Sequence, residues 1–214
     1  MTDKDLTLGL ILNGGLARRM RGADKGLIVL AGRPMLAHAI DRLRPQCAAL
    51  ALSANGDLTR FQAFDLPVVP DDPPSSAGPL AGVIAGLEHC ARNAPHLTHA
   101  VSLPADTPFA PIDFVARLHD AQRGSGAEIV VAASGGRVHH AAALWPVSLA
   151  GELRRVLVSQ GLRKMESVLQ CFRVAVVEWP NAPLDPFFNV NSPEDLAYAE
   201  AVLRGASTGR GGAL

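Results

Sequence analysis

The 214-residue chain has the length of one α/β domain and can bury a sizeable core. Its 48% hydrophobic and 19% charged residues are typical of a globular protein and differ from the composition of disordered chains. Lysine plus arginine balances aspartate plus glutamate at 20 each, so no overall field would attract nucleic acid or an anionic membrane. Any anion site must therefore be local.

Cysteine usage and hydropathy indicate a cytoplasmic protein. The three cysteines are widely spaced and form no C-x-x-C pair, which favours reduced thiols over a disulfide framework or a zinc site. No apolar run approaches the roughly 20 residues of a membrane-spanning helix. The apolar run 6–12 follows Asp3 and Asp5, which argues against a signal peptide and favours a buried first strand.

Apolar runs of strand length alternate with segments of helical period. The runs cover 6–12, 48–53, 67–69, 99–103, 128–132, 141–145 and 173–178. This alternation predicts a three-layer α/β fold with a mostly parallel sheet. Residues 1–204 are expected to form a single domain, and 205–214 a disordered tail because this stretch has no pattern to bury.

The residue pattern predicts where two helices lie in the sequence. Leu36, Ile40 and Leu43 form one apolar stripe, with Pro34 in the first turn. A second helix begins after Ser192, a capping residue, and Pro193. Ligands of open α/β sheets bind beyond the carboxyl ends of the strands, so we examine the loops that follow the apolar runs.

The loop after the first strand has the features of a triphosphate site. Gly14 and Gly15 let backbone N–H groups approach a phosphate chain, and the loop continues through Arg19 to Lys25. Five basic residues and one acidic residue lie between positions 18 and 33. Neither G-x-x-x-x-G-K-[ST] nor G-x-G-x-x-G is present, which disfavours kinase-like P-loops and dinucleotide sites. The alternative is a Gly-Gly hairpin followed by a solvated basic helix.

Two further loops carry acidic residues. The stretch 70–82 contains Asp71 and Gly78, and its glycines suit close approach to a ring or a sugar. Asp71 could instead only initiate a turn. Asp106 follows the 99–103 run between two prolines, where its carboxylate could hold Mg²⁺ while phosphates and water complete the coordination. Asp106 could equally cap the next helix.

The second half of the chain offers candidate contacts for another substrate. Asn189 and Asn191 bring two amides to a helix N-terminus, where they could contact metal, phosphate or a heterocycle. His139 and His140 are adjacent on a strand and should point to opposite faces, so one is expected to contact an anion or a pterin and the other to pack. Arg163 lies in a short basic turn that suits a phosphate or a solvated face.

Taken together, these segments resemble the molybdenum cofactor guanylyltransferase family from about Leu8 to Glu200. The family motifs are L-A-G-G-x-x-x-R-M-G-G-x-D-K, G-P-L-A-G, P-x-D-T-P-[FY] and F-x-N-[VI]-N-[ST]-P-E-[DE]-L. The resemblance implies a nucleotide-diphosphosugar-transferase-like, Rossmann-like fold. The combination is specific, although other nucleotidyltransferases share single motifs.

The resemblance also implies roles for particular residues. Nucleotide-binding positions are Leu12, Asn13, Gly14, Gly15, Lys25, Asn55, Asp71, Gly78 and Asp106. Acceptor-binding positions are His139, Arg163, Asn189 and Asn191. Arg19, Lys25 and Asp106 are the expected catalytic residues, with Asp106 also the Mg²⁺ ligand. The chain departs from the family pattern at Asn13, where Ala is usual, at Arg21 in place of Gly, and at Ser53 in place of Asn.

The implied reaction is GMP transfer from GTP to molybdopterin with release of pyrophosphate. The partners would be GTP, the molybdopterin acceptor and other proteins of molybdenum cofactor biosynthesis. Two alternatives stay open at this point. One is a related nucleotidyltransferase that uses CTP with molybdopterin, or a nucleotide with a sugar phosphate. The other is a non-catalytic nucleotide-binding module in which Arg21 has impaired turnover.

Overall fold

A computed structural model describes residues 2–14, 16–17, 23–71, 78–159 and 161–208. The strands are β1 Thr7–Leu12, β2 Leu16–Ala17, β3 Ala23–Asp24, β4 Val29–Leu30, β5 Arg33–Pro34, β6 Ala49–Ser53, β7 Val68–Val69, β8 His99–Pro104, β9 Ile129–Ser134, β10 Arg137–Pro146 and β11 Val174–Trp179. The α-helices are α1 Met35–Leu43, α2 Pro79–Asn93, α3 Phe114–Ser125, α4 Ala150–Ser159, α5 Met165–Leu169 and α6 Pro193–Thr208.

Seven strands form one sheet in the order β11-β9-β10-β8-β1-β6-β7. All neighbours are parallel except those of β10, which is antiparallel to both β8 and β9. The seven predicted runs correspond to these seven strands, so the predicted sheet is confirmed. The largest difference is at β10, which begins at Arg137 because a Gly135-Gly136 turn pairs Arg137 with Ser134 of β9.

Helices cover both faces of the sheet and produce the predicted three layers. One apolar cluster lies between the sheet and α2, α4 and α5. A second lies between the opposite face and α1 with α3. The chain reverses direction across the sheet between β1 and β8, since the order runs β7-β6-β1 on one side and β8 on the other. Such a reversal opens a crevice at the carboxyl ends of β1 and β8.

Helix α2 lies unusually close to the sheet, and two glycines one turn apart permit this. A Cβ on Gly82 would overlap the Ser53 hydroxyl, and one on Gly86 would overlap the Leu10 side chain. The absence of both Cβ atoms brings the start of α2 against the ends of β1 and β6. The first turn of α2 can therefore form one wall of the crevice.

The two helix predictions are confirmed with small changes at the ends. Leu36, Ile40 and Leu43 are buried on one face of α1, but Pro34 precedes the helix and pairs in the β4–β5 hairpin. Helix α6 begins at Pro193, and Ser192 Oγ accepts a hydrogen bond from Asp195 N at 3.1 Å, as a capping residue does.

The C-terminal boundary differs from the prediction. Helix α6 continues to Thr208, so it extends into the 205–214 segment that the sequence predicted to be a disordered tail. The apolar pattern ends near Leu203, but helix propagation adds one hydrogen bond per residue and needs no buried face to pass the last core contact. Residues 209–214 lie outside the described residues. Within the described residues, no helix has the length and apolarity needed to cross a membrane.

Candidate active site

A cavity opens at the carboxyl ends of β1, β6 and β8, at the reversal point of the sheet. We call it the nucleotide cavity. It is lined by Leu12, Asn13, Gly14, Lys25, Ser53, Asp71, Gly78, Pro79, Gly82, Pro104, Ala105, Asp106, Ala141 and Asn189. The loops after β1 and β8 are held side by side, because Ala105 N donates to Leu12 O at 3.0 Å beyond the last strand pair. The Gly14 loop and Asp106 therefore share one cavity.

Lys25 and Asp106 meet in this cavity. The Lys25 ammonium lies 3.1 Å from Oδ2 of Asp106 and also donates to Oδ1 of Asn191. The second oxygen of Asp106 accepts from Nδ2 of Asn189 at 2.9 Å. The loop carrying both asparagines is fastened to Asp106 by its backbone, since Val190 N donates to Asp106 O at 3.0 Å. Segments near positions 25, 106 and 190 thus form one polar cluster.

The segment that carries Lys25 is attached to the end of β1 through Asn13. Asn13 Oδ1 accepts from Gly26 N at 3.1 Å, and its Nδ2 donates to Asp24 Oδ1 at 2.8 Å. The other oxygen of Asp24 accepts from Arg60 Nε at 2.9 Å. An Ala at position 13, which is usual in the family, could make neither of the two hydrogen bonds of the Asn13 side chain. Asn13 therefore gives this chain an additional connection between β1 and the Lys25 segment.

Asp71 lies on the opposite side of the nucleotide cavity and is held by two side chains. Ser53 Oγ donates to its Oδ1 at 2.9 Å, and Asn55 Nδ2 donates to its Oδ2 at 3.0 Å. Asn55 Oδ1 in turn accepts from Asp71 N at 2.9 Å. Asn55 does not line the cavity, so its position suits orientation of Asp71 rather than direct contact with a nucleotide.

A second cavity adjoins the first, and we call it the acceptor cavity. It is lined by Pro79, Pro104, Thr107, Arg137, Val138, His139, His140, Ala141, Ala142, Met165, Phe187 and Asn189. The two cavities share Pro79, Pro104, Ala141 and Asn189. Asn189 bonds directly to Asp106, so the boundary between the cavities lies beside the Lys25–Asp106 pair.

His139 and His140 both line the acceptor cavity, and the expectation that their side chains point to opposite faces stays a prediction. The strand has an irregularity between His139 and Ala143 that interrupts its alternation. His139 is the buried member: its Nε2 lies 2.7 Å from Ser134 Oγ and its ring packs against Phe187. Desolvation lowers the pKa of His139 below its ordinary value. His140 is half-buried.

Of the remaining predicted residues, some line the nucleotide cavity, one lines neither cavity, and others lie outside the described residues. Gly78 lines the nucleotide cavity with a φ of 62°, a conformation that glycine adopts without strain. Arg163 is exposed and lines neither cavity, although Met165 two residues later lines the acceptor cavity. Gly15, Arg19 and Arg21 lie outside the described residues. Leu12 lines the nucleotide cavity, and its contact with a nucleotide stays a prediction.

Sequence reasoning did not single out Arg60, Ser134 or Asp185, although all three hold side chains near the site. Arg60 lies in the 3-10 segment Leu58–Phe64, where no motif marks it. Asp185 precedes a proline and has the pattern of an ordinary turn. Ser134 stands before two glycines at the end of β9. The bonds of Arg60 to Asp24 and of Ser134 to Asp185 join residues 36 and 51 positions apart, so no local spacing could reveal them.

Comparison with known proteins identifies the family. Residues 9–174 match the family described as "MobA-like NTP transferase domain". The molybdenum cofactor guanylyltransferase of Bradyrhizobium sp. (strain ORS 278) is 53% identical, over 90% of this chain and 91% of that protein. The protein of the same name from Rhodopseudomonas palustris (strain BisB5) is 50% identical, over 94% and 96%.

A solved structure supports the same fold. The molybdopterin-guanine dinucleotide biosynthesis protein A of Archaeoglobus fulgidus superposes with a TM-score of 0.73 and 22% identity, over 92% of this chain and 99% of that one. The structural likeness indicates the fold, and the two relatives match at least 90% of this chain. On these grounds the chain belongs to the molybdenum cofactor guanylyltransferase family of nucleotidyltransferases.

Proposed function

We propose that this chain transfers GMP from GTP to the terminal phosphate of molybdenum-molybdopterin, which yields molybdopterin guanine dinucleotide and pyrophosphate. The observation that carries the proposal is the 3.1 Å pairing of Lys25 with Asp106 in the nucleotide cavity, where Asp106 also bonds to Asn189, a residue that lines both cavities. A cation and a carboxylate at the boundary of two adjoining cavities suit transfer between two phosphorylated substrates. The name of the close relatives, molybdenum cofactor guanylyltransferase, supports a guanylyl donor and a molybdenum cofactor acceptor.

The nucleotide cavity has polar groups suited to the two ends of GTP. Gly14 and Lys25 lie on one side, where a backbone without Cβ and an ammonium suit the triphosphate. Asp71 lies on the other side, with its carboxylate oriented by Ser53 and Asn55 to accept hydrogen bonds from N–H or O–H groups of the nucleoside. Arg19 belongs to the proposed triphosphate contacts and lies outside the described residues.

The donor set suits Mg²⁺. Within the described ranges no group of three or more His, Cys, Asp or Glu side chains is placed to hold a metal ion, and Asp106 offers the carboxylate that pairs with Lys25. Mg²⁺ in nucleotide sites is commonly bound by one or two carboxylates, substrate phosphates and water, so a single carboxylate is a fitting ligand. Amide oxygens of Asn189 or Asn191 lie within the same cluster. When bound, the ion would neutralise phosphate charge.

Catalysis by the protein itself would be positioning and charge stabilisation. The acceptor phosphate is already anionic at neutral pH, so the reaction needs no covalent nucleophile and no strong general base. Lys25 would hold the triphosphate and stabilise the charge that builds on pyrophosphate as it leaves. The loop that carries Asn189 is hydrogen-bonded to Asp106 and would keep the two substrates in line. The acceptor itself would occupy the second cavity, with His139 and Asn189 as contacts.

Two further statements belong to the proposal. Arg163 would contact a phosphate of the acceptor, since it lies beside the part of the chain that lines the acceptor cavity. The protein would work in the cytoplasm, where its three free cysteines, two of them buried, would stay reduced. Other proteins of molybdenum cofactor biosynthesis would supply the acceptor and receive the product.

The test is a reconstituted reaction of the purified chain with GTP, Mg²⁺ and molybdenum-molybdopterin. Pyrophosphate release is followed continuously, and the product is identified by mass spectrometry. We expect stoichiometric pyrophosphate and guanine dinucleotide with GTP, and little product with CTP, UTP or ATP. Pyrophosphate release that prefers CTP, or that requires a sugar phosphate as acceptor, would replace the proposed substrates with those of a related nucleotidyltransferase.

A further inference from the structure

A short chain of hydrogen bonds lies behind the acceptor cavity. Ser134 Oγ lies 2.7 Å from Asp185 Oδ1 and 2.7 Å from His139 Nε2. Asp185 is fixed in turn, because its Oδ1 also accepts from Phe187 N at 2.9 Å. Ser134 and His139 are buried. The three side chains therefore form one connected unit, of which only His139 lines the cavity.

The direction of each proton follows from the chemistry of the donors. A carboxylate can only accept, so the Ser134 hydroxyl hydrogen points to Asp185. Ser134 Oγ then has only lone pairs for His139, so Nε2 of His139 must carry the hydrogen of that bond. Burial lowers the pKa of His139, which keeps the imidazole neutral at neutral pH. A neutral ring with hydrogen on Nε2 has a lone pair on Nδ1.

The Nδ1 atom of His139 is not fully enclosed by protein. Nδ1 makes no hydrogen bond to any of the described residues. Among those residues, every fully buried side-chain nitrogen or oxygen has a hydrogen-bond partner, so an atom without one cannot be fully buried. Nδ1 is therefore accessible, and the acceptor cavity is the open space that His139 lines. The ring cannot turn freely, because it packs against Phe187 with ring centres 5.0 Å apart and planes inclined by 33°.

We propose that Ser134 and Asp185 are positioning residues that hold His139 as the Nε2–H tautomer, so that its Nδ1 accepts a hydrogen bond from an N–H group of a heterocycle in the acceptor cavity. This inference rests on the proposed function, which places a pterin there. A pterin has ring N–H and amino donors that match such an acceptor. A phosphate does not match, because its oxygens and the Nδ1 lone pair repel. His139 thus recognises the heterocycle, and the acceptor phosphate lies toward Lys25.

The tautomer can be measured in the free protein. Long-range proton–nitrogen NMR correlations distinguish the two nitrogens of each of the seven histidines, and a His139→Gln spectrum assigns His139. We expect His139 to be neutral with hydrogen on Nε2 in the unaltered chain, and to show a mixture of tautomers in Ser134→Ala. Hydrogen on Nδ1, or on both nitrogens at neutral pH, overturns the inference. This measurement requires neither acceptor nor turnover, and its first part requires no variant other than the His139→Gln chain used for the assignment.

Binding and kinetics then test the role. Pterin is titrated into the protein, and its binding is followed by the change in pterin fluorescence. The KM values for the acceptor and for GTP are measured separately. We expect Ser134→Ala to weaken pterin binding and raise the acceptor KM by about tenfold, the loss of roughly one oriented hydrogen bond. The KM for GTP and kcat should stay within about twofold. Ser134→Thr retains the hydroxyl and should restore binding, and Ser125→Ala on the exposed end of α3 is the matched control.

The outcomes separate the two proposals. Equal rises in the KM for GTP and for the acceptor would show that Ser134 acts only on the fold, and the inference would be wrong. Unchanged pterin binding in Ser134→Ala would also overturn it. If the unaltered chain has the Nε2–H tautomer and binds pterin but forms no guanine dinucleotide, the proposed function fails and the assignment of the tautomer stands.

Discussion

The ammonium of Lys25 and the carboxylate of Asp106, 81 residues apart along the chain, lie 3.1 Å from each other, and Lys25 also contacts Asn191. The pair is partly exposed to the cavity, with 26% of the Lys25 and 12% of the Asp106 side chain accessible. A cation bound at Asp106 together with a triphosphate would give each partner a new counter-charge. In the free protein the ion pair therefore keeps the Lys25 and Asp106 side chains next to each other.

Asp106→Asn tests the carboxylate without changing its shape. The amide keeps an oxygen for Lys25, so we expect the fold and melting temperature to be retained. Turnover with Mg²⁺ should fall by at least about 100-fold, as expected for loss of one preorganised electrostatic contact. Steady-state pyrophosphate release measures the effect. Asp41→Asn, on an exposed surface ion pair, is the control. Near-normal turnover of Asp106→Asn would remove Asp106 from its proposed role.

Lys25→Ala tests the phosphate contact. The variant should bind GTP at least about tenfold more weakly, since a charge-assisted contact of roughly 1.5 kcal/mol or more is lost. Binding of guanosine should change little, because guanosine has no phosphate. Calorimetric titration of both ligands gives the comparison. Lys4→Ala, at the exposed start of the chain before β1, should leave both affinities unchanged. Equal weakening of the two ligands by Lys25→Ala would contradict the assignment.

Arg60→Ala tests the connection that supports the Lys25 segment. Arg60 lines neither cavity but bonds to Asp24, the neighbour of Lys25, and its Nη2 donates to Asn55 O at 2.6 Å. Its loss should raise the KM for GTP several-fold while the KM for the acceptor is unchanged. Asn13→Ala removes the bonds of Asn13 to Asp24 and Gly26 and should also raise the KM for GTP. Arg33→Ala, whose only ion pair is with exposed Asp41 within the described residues, is the matched control.

An absence of effect in Arg60→Ala and Asn13→Ala together would show that Lys25 is held by Asp106 and Asn191 alone. A fall in melting temperature is expected for Asn13→Ala, because the buried Gly26 N–H loses its acceptor. An unsatisfied buried group of this kind costs about 1–3 kcal/mol. The kinetic comparison must therefore be made well below the melting temperature of both variants.

The main features of the nucleotide cavity could be predicted from the sequence because they depend on short-range patterns. Apolar runs gave all seven strands of the sheet, and the loops after β1 and β8 necessarily meet at the reversal point. Gly14, Lys25 and Asp106 lie in those loops, so their convergence follows once the strands are assigned. The local sequence therefore determines which side chains end at the crevice.

The supporting contacts could not be predicted in this way. Ser134 and Asp185 are 51 residues apart and meet only through the packing of the loop after β11 against the end of β9. The irregularity of β10 between His139 and Ala143 is marked by no residue pattern. Asn55 does not line the nucleotide cavity but bonds to Asp71, which does, and no motif marks this pairing. These positions depend on tertiary packing rather than on period or spacing.

The last prediction concerns acid stability at the end of the sheet opposite the cavities. Burial, with a smaller contribution from the neighbouring His99, lowers the pKa of His119 to about 4. His119 is 4% exposed, its Nε2 lies 2.8 Å from Thr7 Oγ1, and its Nδ1 is 3.9 Å from Asp3 Oδ1. Asp3 and Asp120 oppose this shift through their charge, and Arg123 adds to it. The native state therefore favours the neutral imidazole.

The sign of the pH dependence follows. Between the ordinary pKa of 6.5 and about 4, the unfolded chain binds more protons at His119 than the folded chain. The stabilisation is complete above pH 6.5 and is lost as the pH falls to about 4. At about 1.4 kcal/mol per pKa unit, the loss is at most about 3 kcal/mol. His119→Gln keeps an N–H donor for Thr7 but does not titrate, so its free energy of unfolding should change less between pH 6.5 and 4. Denaturant unfolding at several pH values, with exposed His96→Gln as control, measures the slope. If His119→Gln and the unaltered chain lose stability in parallel over this range, the acid sensitivity arises from other groups.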